Sequence, residues 1–281
     1  MKPKIAGLLV DNRATHGEGP IWDPARNRLL WVDLIGCKLH AYQPQTGAVE
    51  TRVFGEPVCA AGPHADGRLL VAFAKRLAWV DWDAGTVLEP ICAVEPDQAG
   101  NRCNDGKLDP AGRFWIGTMS NGGLIAGAGA LYRADGRRLT RVLDNLTVAN
   151  GLGWTADNRT MFFIDSPRRE VWAFDFDPRE SSIANRRVVV HVPEELGLPD
   201  GMCVAPDDTV WVAHWGAGCV CRWDPASGDL LDRIDTGCPR TSSCCLSPDG
   251  SLYITTSRVG LDATALAASP HSGSLFHVPP S

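Results

Sequence analysis

The chain has 281 residues, 44% of them hydrophobic and 21% charged, with 27 Lys plus Arg against 33 Asp plus Glu for a formal net charge of -6. That apolar content excludes a disordered chain, and the mild acidity excludes a basic nucleic-acid-binding surface. No apolar run approaches the ~20 residues of a bilayer span, and Ile5 to Val10, cut by Asp11, is too short for the core of a secretion signal. The expected setting is the cytoplasm, with neither nucleic acid nor membrane as partner.

In chain order the elements are short strands. Arg28 to Asp33 (RLLWVD), Arg113 to Gly117 (RFWIG), Thr160 to Asp165 (TMFFID), Thr209 to Ala213 (TVWVA) and Ser251 to Thr255 (SLYIT) each follow a turn rich in Asp, Asn, Gly or Pro. Almost nothing reads as an amphipathic helix. Just upstream of these hairpins stand Glu18-Gly19, Asp105-Gly106, Asn150-Gly151, Asp200-Gly201 and Ser243-Cys244, and the intervals from 105 to 150, 150 to 200 and 200 to 243 are 45, 50 and 43 residues. The gap from 18 to 105 holds one further unit, with its hairpin at His64 to Arg68 leading into Leu69 to Ala72 and its first position near Ala60. Six units of about 45 residues predict an all-β, six-bladed β-propeller of four-stranded antiparallel blades, one domain over residues 1–281.

Third strands are expected at Lys38 to Tyr42, Ala130 to Arg133, Glu170 to Phe176, Cys219 to Trp223 and Ser274 to Val278. Fourth strands are expected at Val49 to Phe54, Leu139 to Leu143, Arg187 to Val192 and Leu230 to Asp235. The sixth unit ends without a fourth strand, so Ile5 to Asp11 supplies it and closes the ring. The ten cysteines include no CxxC, and Cys244 and Cys245 are adjacent, so they read as small buried apolar groups with free thiols.

First strands of propeller blades line the central channel, so Glu18, the position near Ala60, Asp105, Asn150, Asp200 and Ser243 form a ring at one mouth. Each dipeptide alone reads equally well as a turn; the common register is what separates the two readings. Packing does not call for oxygen-bearing side chains at five of six such positions. Converging carboxylates repel one another unless a cation compensates, which points to one divalent metal. Oxygen donors favour Ca²⁺, Mg²⁺ or Mn²⁺, with Zn²⁺ and Fe²⁺ left open.

The sequence resembles the senescence marker protein 30, gluconolactonase and luciferin-regenerating enzyme family of six-bladed propellers. The likeness rests on His16-Gly17-Glu18-Gly19-Pro20-Ile21-Trp22, Asn101-Arg102-Cys103-Asn104-Asp105-Gly106-Lys107, Gly117-Thr118-Met119, Asn150-Gly151-Leu152, Pro199-Asp200-Gly201-Met202-Cys203 and Thr241-Ser242-Ser243-Cys244-Cys245. It implies a catalytic metal held by Glu18, Asn150 and Asp200, with Asp200 as general base and Arg102 and Asn104 facing the substrate. It implies hydrolysis of a sugar-acid lactone, such as glucono-, xylono-, arabinono- or galactonolactone, to the aldonic acid. By the same resemblance Asp105 is a supporting residue, and Asn121, in the Ser120-Asn121-Gly122-Gly123 segment where animal members carry acidic residues, is expected to replace their lid contact and bind substrate with Arg102 and Asn104. Asp165-Ser166, His214-Trp215-Gly216 and Ser257-Arg258 belong to the same mouth, with His214 either touching substrate or packed structurally. Two other readings use the same scaffold: a different metal-dependent ester or organophosphate hydrolase, and a non-catalytic calcium-binding propeller.

Overall fold

Asp66, Asp157, Asp207 and Asp249 each accept a hydrogen bond from the backbone N–H two residues on, at 3.0, 2.9, 3.3 and 3.1 Å. These Asx turns reverse the chain between a first and a second strand, so one local chemistry builds the repeated hairpin in four units. In the computed structural model, which describes residues 4–280, the hairpins grow into six small antiparallel sheets that form a six-bladed β-propeller.

Blade one is Gly17–Asp23, Arg28–Asp33, Lys38–Gln43 and Ala48–Val53, and blade two is Val58–Pro63, Leu69–Phe73, Arg76–Asp81 and Thr86–Ala93. Blade three runs Asn101–Leu108, Phe114–Ser120, Gly129–Asp135 and Arg138–Leu146; blade four runs Ala149–Trp154, Thr160–Asp165, Glu170–Asp177 and Ser182–His191. Blade five comprises Gly197–Val204, Val210–Gly216, Cys219–Trp223 and Leu230–Asp235. Thr241–Leu246, Leu252–Thr256 and Leu275–Val278 make three strands of blade six, and Gly7–Val10 pairs antiparallel with Leu275–Val278 as the fourth.

That is the closure expected from the leftover N-terminal segment, with one addition. Lys4 and Ile5 pair in parallel with Ile234 and Asp235 of blade five, so the same segment joins two neighbouring blades and makes blade five five-stranded. The one α-helix among the described residues, Ala263–Ala268, lies between the second and third strands of blade six and was not expected. At six residues it is too short to show a helical period, and it starts where Asp262 accepts from the Ala265 N–H at 2.8 Å.

Second and third strands supply most of the buried apolar side chains, with Trp31, Trp82, Trp115, Phe73, Phe114 and Phe163 fully enclosed. All ten cysteines are free, eight of them buried, as expected of small apolar fillers. Among the described residues no helix is long and apolar enough to cross a membrane.

The six first strands pack around the axis; Gly151 and Gly201 set how closely neighbouring ones approach, and Gly106 how closely the first strand of blade three meets its second. A Cβ on Gly151 would meet the Asp200 carbonyl oxygen at 2.6 Å, one on Gly106 the Trp115 carbonyl at 2.7 Å, and one on Gly201 the Ser243 Oγ at 2.0 Å. Each glycine follows an oxygen-bearing residue because the next strand's atoms occupy the space its side chain would need.

Candidate active site

Every first strand carries a register shift against its partner, and the shift decides which side chain faces the axis. Gly17 lies opposite Asp33, Cys103 opposite Thr118, Ala149 opposite Asp165, Pro199 opposite His214 and Thr241 opposite Thr256. The next residues are Glu18, Asn104, Asn150, Asp200 and Ser242, with Cys59 following Val58 in blade two. The sequence alignment on Asp-Gly and Asn-Gly pairs put Asp105, Ala60 and Ser243 in these places, one residue too far. Asn104-Asp105-Gly106 offers two oxygen-bearing candidates, and only the ladder distinguishes them. Bulges of this kind re-aim side chains, which a dipeptide match cannot see.

Glu18, Asn150, Asp200, Arg102 and Asn104 all line one cavity of about 300 Å³ at one mouth of the channel. Glu18 Oε2 accepts from the Gly19 N–H at 3.0 Å. Asn150 donates from Nδ2 to Ser166 Oγ at 3.0 Å and to the Asp200 carboxylate, which leaves its Oδ1 without a partner among the described residues. Arg102 Nη1 donates to Asn104 Oδ1 at 2.7 Å and to the Cys103 carbonyl at 2.8 Å, while Asn104 Nδ2 donates to the Ala149 carbonyl of blade four at 3.0 Å. Asn104 therefore uses both ends of its amide to fix Arg102 and to bridge two blades.

Charge is concentrated here. Burial, then the negative charges of Asp200 and Asp105, hold the Glu18 carboxyl well above the usual carboxylate range. Burial and then Asp105 do the same to Asp200, and burial raises Asp105 against the opposing pull of Lys107. Asp105 accepts from the Gly106 N–H at 2.7 Å and is absent from the cavity wall. Among the described residues neither Glu18 nor Asp200 has an ion-pair partner, whereas the buried Asp23 is paired with Arg28 at 3.0 Å. Two buried carboxylates and one open amide oxygen make a hard, negatively charged donor set with a net deficit of positive charge, and this chemistry fits a divalent cation.

Asn121 stands apart: it is exposed, on the wall of an adjoining cavity of about 540 Å³ that shares His16, Arg102, Met119 and Val259 with the first. His214 is fully buried, packs its ring against Trp223 at 6.1 Å and does not reach the cavity. Its neighbour Trp215 does line the cavity, as strand alternation requires. Ser166 also lines it, and both had been placed at this mouth by their loops. His16 had been given no role in the sequence, yet its ring forms part of the wall, edge-on to Trp215 at 5.7 Å. The available signal was its spacing: two residues before Glu18 on an extended strand is the same face. Met119, Val148, Leu198, Pro199 and Val259 add an apolar lining.

Six blades around an acidic axial cavity with an apolar rim define a β-propeller with a concave site of converging polar groups at one mouth. Residues 16–258 match the family model described as the SMP-30/gluconolactonase/LRE-like region. A regucalcin of Gallus gallus is 34% identical over 274 residues, 95% of this chain and 91% of its own. A calcium-binding regucalcin of Agrobacterium tumefaciens superposes with a TM-score of 0.92 at 26% identity, over 98% of this chain and 94% of that one. A gluconolactonase of Xanthomonas campestris does so at 0.75 and 25%, over 97% and 88%. The chain belongs to the SMP-30/gluconolactonase/LRE-like family.

Proposed function

We propose that this protein hydrolyses a sugar-acid lactone to its aldonic acid with the help of one divalent cation. The observation that carries the reading is the convergence of Glu18, Asn150 and Asp200, from blades one, four and five, on one cavity beside a fixed arginine. Glu18, Asn150 Oδ1 and Asp200 would hold the cation, and calcium is the first candidate, given three oxygen donors and a calcium-binding structural relative. When bound, such a cation polarises a carbonyl oxygen and acidifies water.

The protein's own groups do the rest. Asp200 keeps one oxygen on Asn150 and has the other open, so it accepts a proton from the attacking water as the new C–O bond forms. The bond from the carbonyl carbon to the ring oxygen then breaks, and that oxygen takes the proton back from Asp200 to become the free hydroxyl of the aldonic acid. Arg102 has Nε and Nη2 free of protein partners among the described residues, and its Nη1 bonds fix the guanidinium plane, so it donates to lactone oxygens in a set direction. The apolar rim limits competing water around the reacting carbonyl.

The test is acid release from a panel of five- and six-membered aldonolactones by the chelated protein and by the protein with Ca²⁺, Mg²⁺, Mn²⁺ or Zn²⁺ added. Cation-dependent turnover of at least one lactone, faster than of an aryl ester or a phosphotriester, supports the reading. Preference for the aryl ester or phosphotriester would replace it with another hydrolase, and cation binding without any turnover would leave a binding propeller.

A further inference from the structure

His16 is clamped from all sides but one. Its backbone N–H donates to Asp33 Oδ1 at 2.9 Å, its carbonyl accepts from the Leu34 N–H at 2.9 Å, and a β-bridge joins it to Ser257 at the junction of blades six and one. Its Nδ1 lies 2.9 Å from Ser257 Oγ, and its ring meets the edge of Trp215.

The contacts of the Ser257 hydroxyl favour one tautomer. The Thr15 carbonyl, 3.3 Å away, offers the hydroxyl's single proton an acceptor, and the oxygen already accepts from the Val259 N–H at 3.1 Å. What remains for His16 is a lone pair, so Nδ1 carries the hydrogen and donates. Nε2 then holds the ring's lone pair, has no protein partner among the described residues, and belongs to a side chain on the cavity wall.

The other polar side chains of that wall have different tasks. Glu18, Asn150 and Asp200 form the anionic cluster, Arg102 only donates, Asn104 spends its oxygen on Arg102, and Ser166 Oγ accepts from Asn150. A polyhydroxylated ring entering the cavity brings O–H donors, each of which loses a water partner on entry. His16 Nε2 is a neutral side-chain acceptor on that wall with no protein partner among the described residues, and so is placed to receive one.

We propose that His16 is a specificity-determining residue whose Nε2 accepts a hydrogen bond from a substrate hydroxyl, selecting polyhydroxylated lactones over plain alkyl lactones. This rests on the lactonase reading and names the substrate feature that the site recognises. A site built to pair a hydroxyl discriminates strongly against the analogue that lacks it.

Two variants separate the ring nitrogens. His16→Asn keeps a donor near the Nδ1 position and removes the acceptor; His16→Gln carries an oxygen out to the Nε2 position. The ratio of kcat/KM for glucono-1,5-lactone to that for δ-valerolactone should fall roughly 10- to 100-fold in His16→Asn and recover most of the way in His16→Gln. An equal loss on both lactones, or an unchanged ratio, overturns the proposal.

Calorimetric titration of the calcium-loaded protein with 1,5-anhydroglucitol, a cyclic polyol with no ester, tests the contact apart from turnover. Weaker binding by His16→Asn than by the parent or by His16→Gln supports it, and equal binding by all three overturns it. Parental binding of the polyol without turnover of either lactone would overturn the lactonase reading and leave the His16 contact standing; failure of the parent both to bind and to turn over would overturn the two together. Nitrogen-15 spectra of the parent protein should show His16 as the Nδ1–H tautomer, and the Nε2–H tautomer would overturn the proposal even if a variant failed to fold.

Discussion

Ser166 Oγ sits 3.0 Å from Asn150 Nδ2, and with the Asp200 carboxylate it takes up the amide's hydrogens, so that the Asn150 oxygen is the end left open. Ser166 comes from the end of the second strand of blade four, directly after Asp165, whose Oδ1 accepts from the Thr147 and Val148 N–H groups at 3.1 and 2.9 Å. A buried aspartate thus anchors the loop, the loop places the serine, and the serine orients a candidate ligand. Ser166→Ala should weaken cation binding on the order of 10-fold, the lower end of the usual outer-shell effect, with little loss of thermal stability in the chelated protein. Isothermal titration with Ca²⁺ checks this, and parental affinity would remove the orienting role.

Glu18→Gln and Asp200→Asn each remove one negative charge, but they should not respond alike to added cation. Glu18→Gln should lose affinity and regain much of its turnover at high cation concentration. Asp200→Asn also loses the proton acceptor, so a deficit on the order of 10² to 10⁴ in kcat should persist at saturation. Turnover against cation concentration for each variant checks the split; full rescue of Asp200→Asn would assign the proton transfer elsewhere.

The pH dependence has a definite sign. Burial raises the carboxyl pKa values of Glu18, Asp105 and Asp200, and neighbouring carboxylates add to this at Glu18 and Asp200, so the chelated folded protein holds these protons more tightly than the unfolded chain. Their contribution to stability is present below the ordinary range of about pH 4 and is lost as pH rises through the raised values. A bound cation offsets that loss where the carboxylates are charged, so the Tm difference between calcium-loaded and chelated protein should widen from pH 5 to pH 8. Thermal scans with and without chelator measure it; a gap independent of pH would mean that the cation binds elsewhere.

Gly151→Ala puts a methyl group 2.6 Å from the Asp200 carbonyl and 2.8 Å from the Met202 nitrogen, both backbone atoms of the neighbouring blade. Relief requires moving the strand that carries Asp200. A destabilisation of about 1 to 3 kcal/mol is expected, together with a loss of cation affinity. Denaturant unfolding and calcium titration of this variant would refute the close-approach argument if both matched the parent.

Cys37 and Cys92 are half-buried and the other eight cysteines are buried, all free. A thiol-specific chromogenic reagent should therefore label at most two groups in the native protein and ten after denaturation. Burial raises both half-buried thiols above their ordinary values, so native labelling should be slow at neutral pH. Rapid labelling of more than two would show that the blades open readily.

The sequence by itself determined the repeat. Asp66, Asp157, Asp207 and Asp249 act within two residues of themselves, and strands such as Arg28 to Asp33 are apolar because both faces are covered, so hairpins, blade count and the closing role of the N-terminal segment are written locally. Glu18, Asn150 and Asp200 were legible as ring positions for the same reason, since each recurs at one place in a unit of about 45 residues, while their selection from the ring as the cation-holding set came from the family resemblance. What the tertiary structure decided depends on register and on approach between distant strands. A bulge between Cys103 and Gly106 puts Asn104 rather than Asp105 in line with Asn150, and no dipeptide pattern encodes that shift. Strand alternation turned His214 inward and Trp215 to the cavity, while Asn121 ended outside it. His16 gained its fixed ring only where Ser257, 241 residues away, closes on it across the seam between the last blade and the first. Side-chain direction is set by period two and reversed by a single residue of slip, so the sequence yields the ring of blades while the three-dimensional pairing alone selects which atoms look into it.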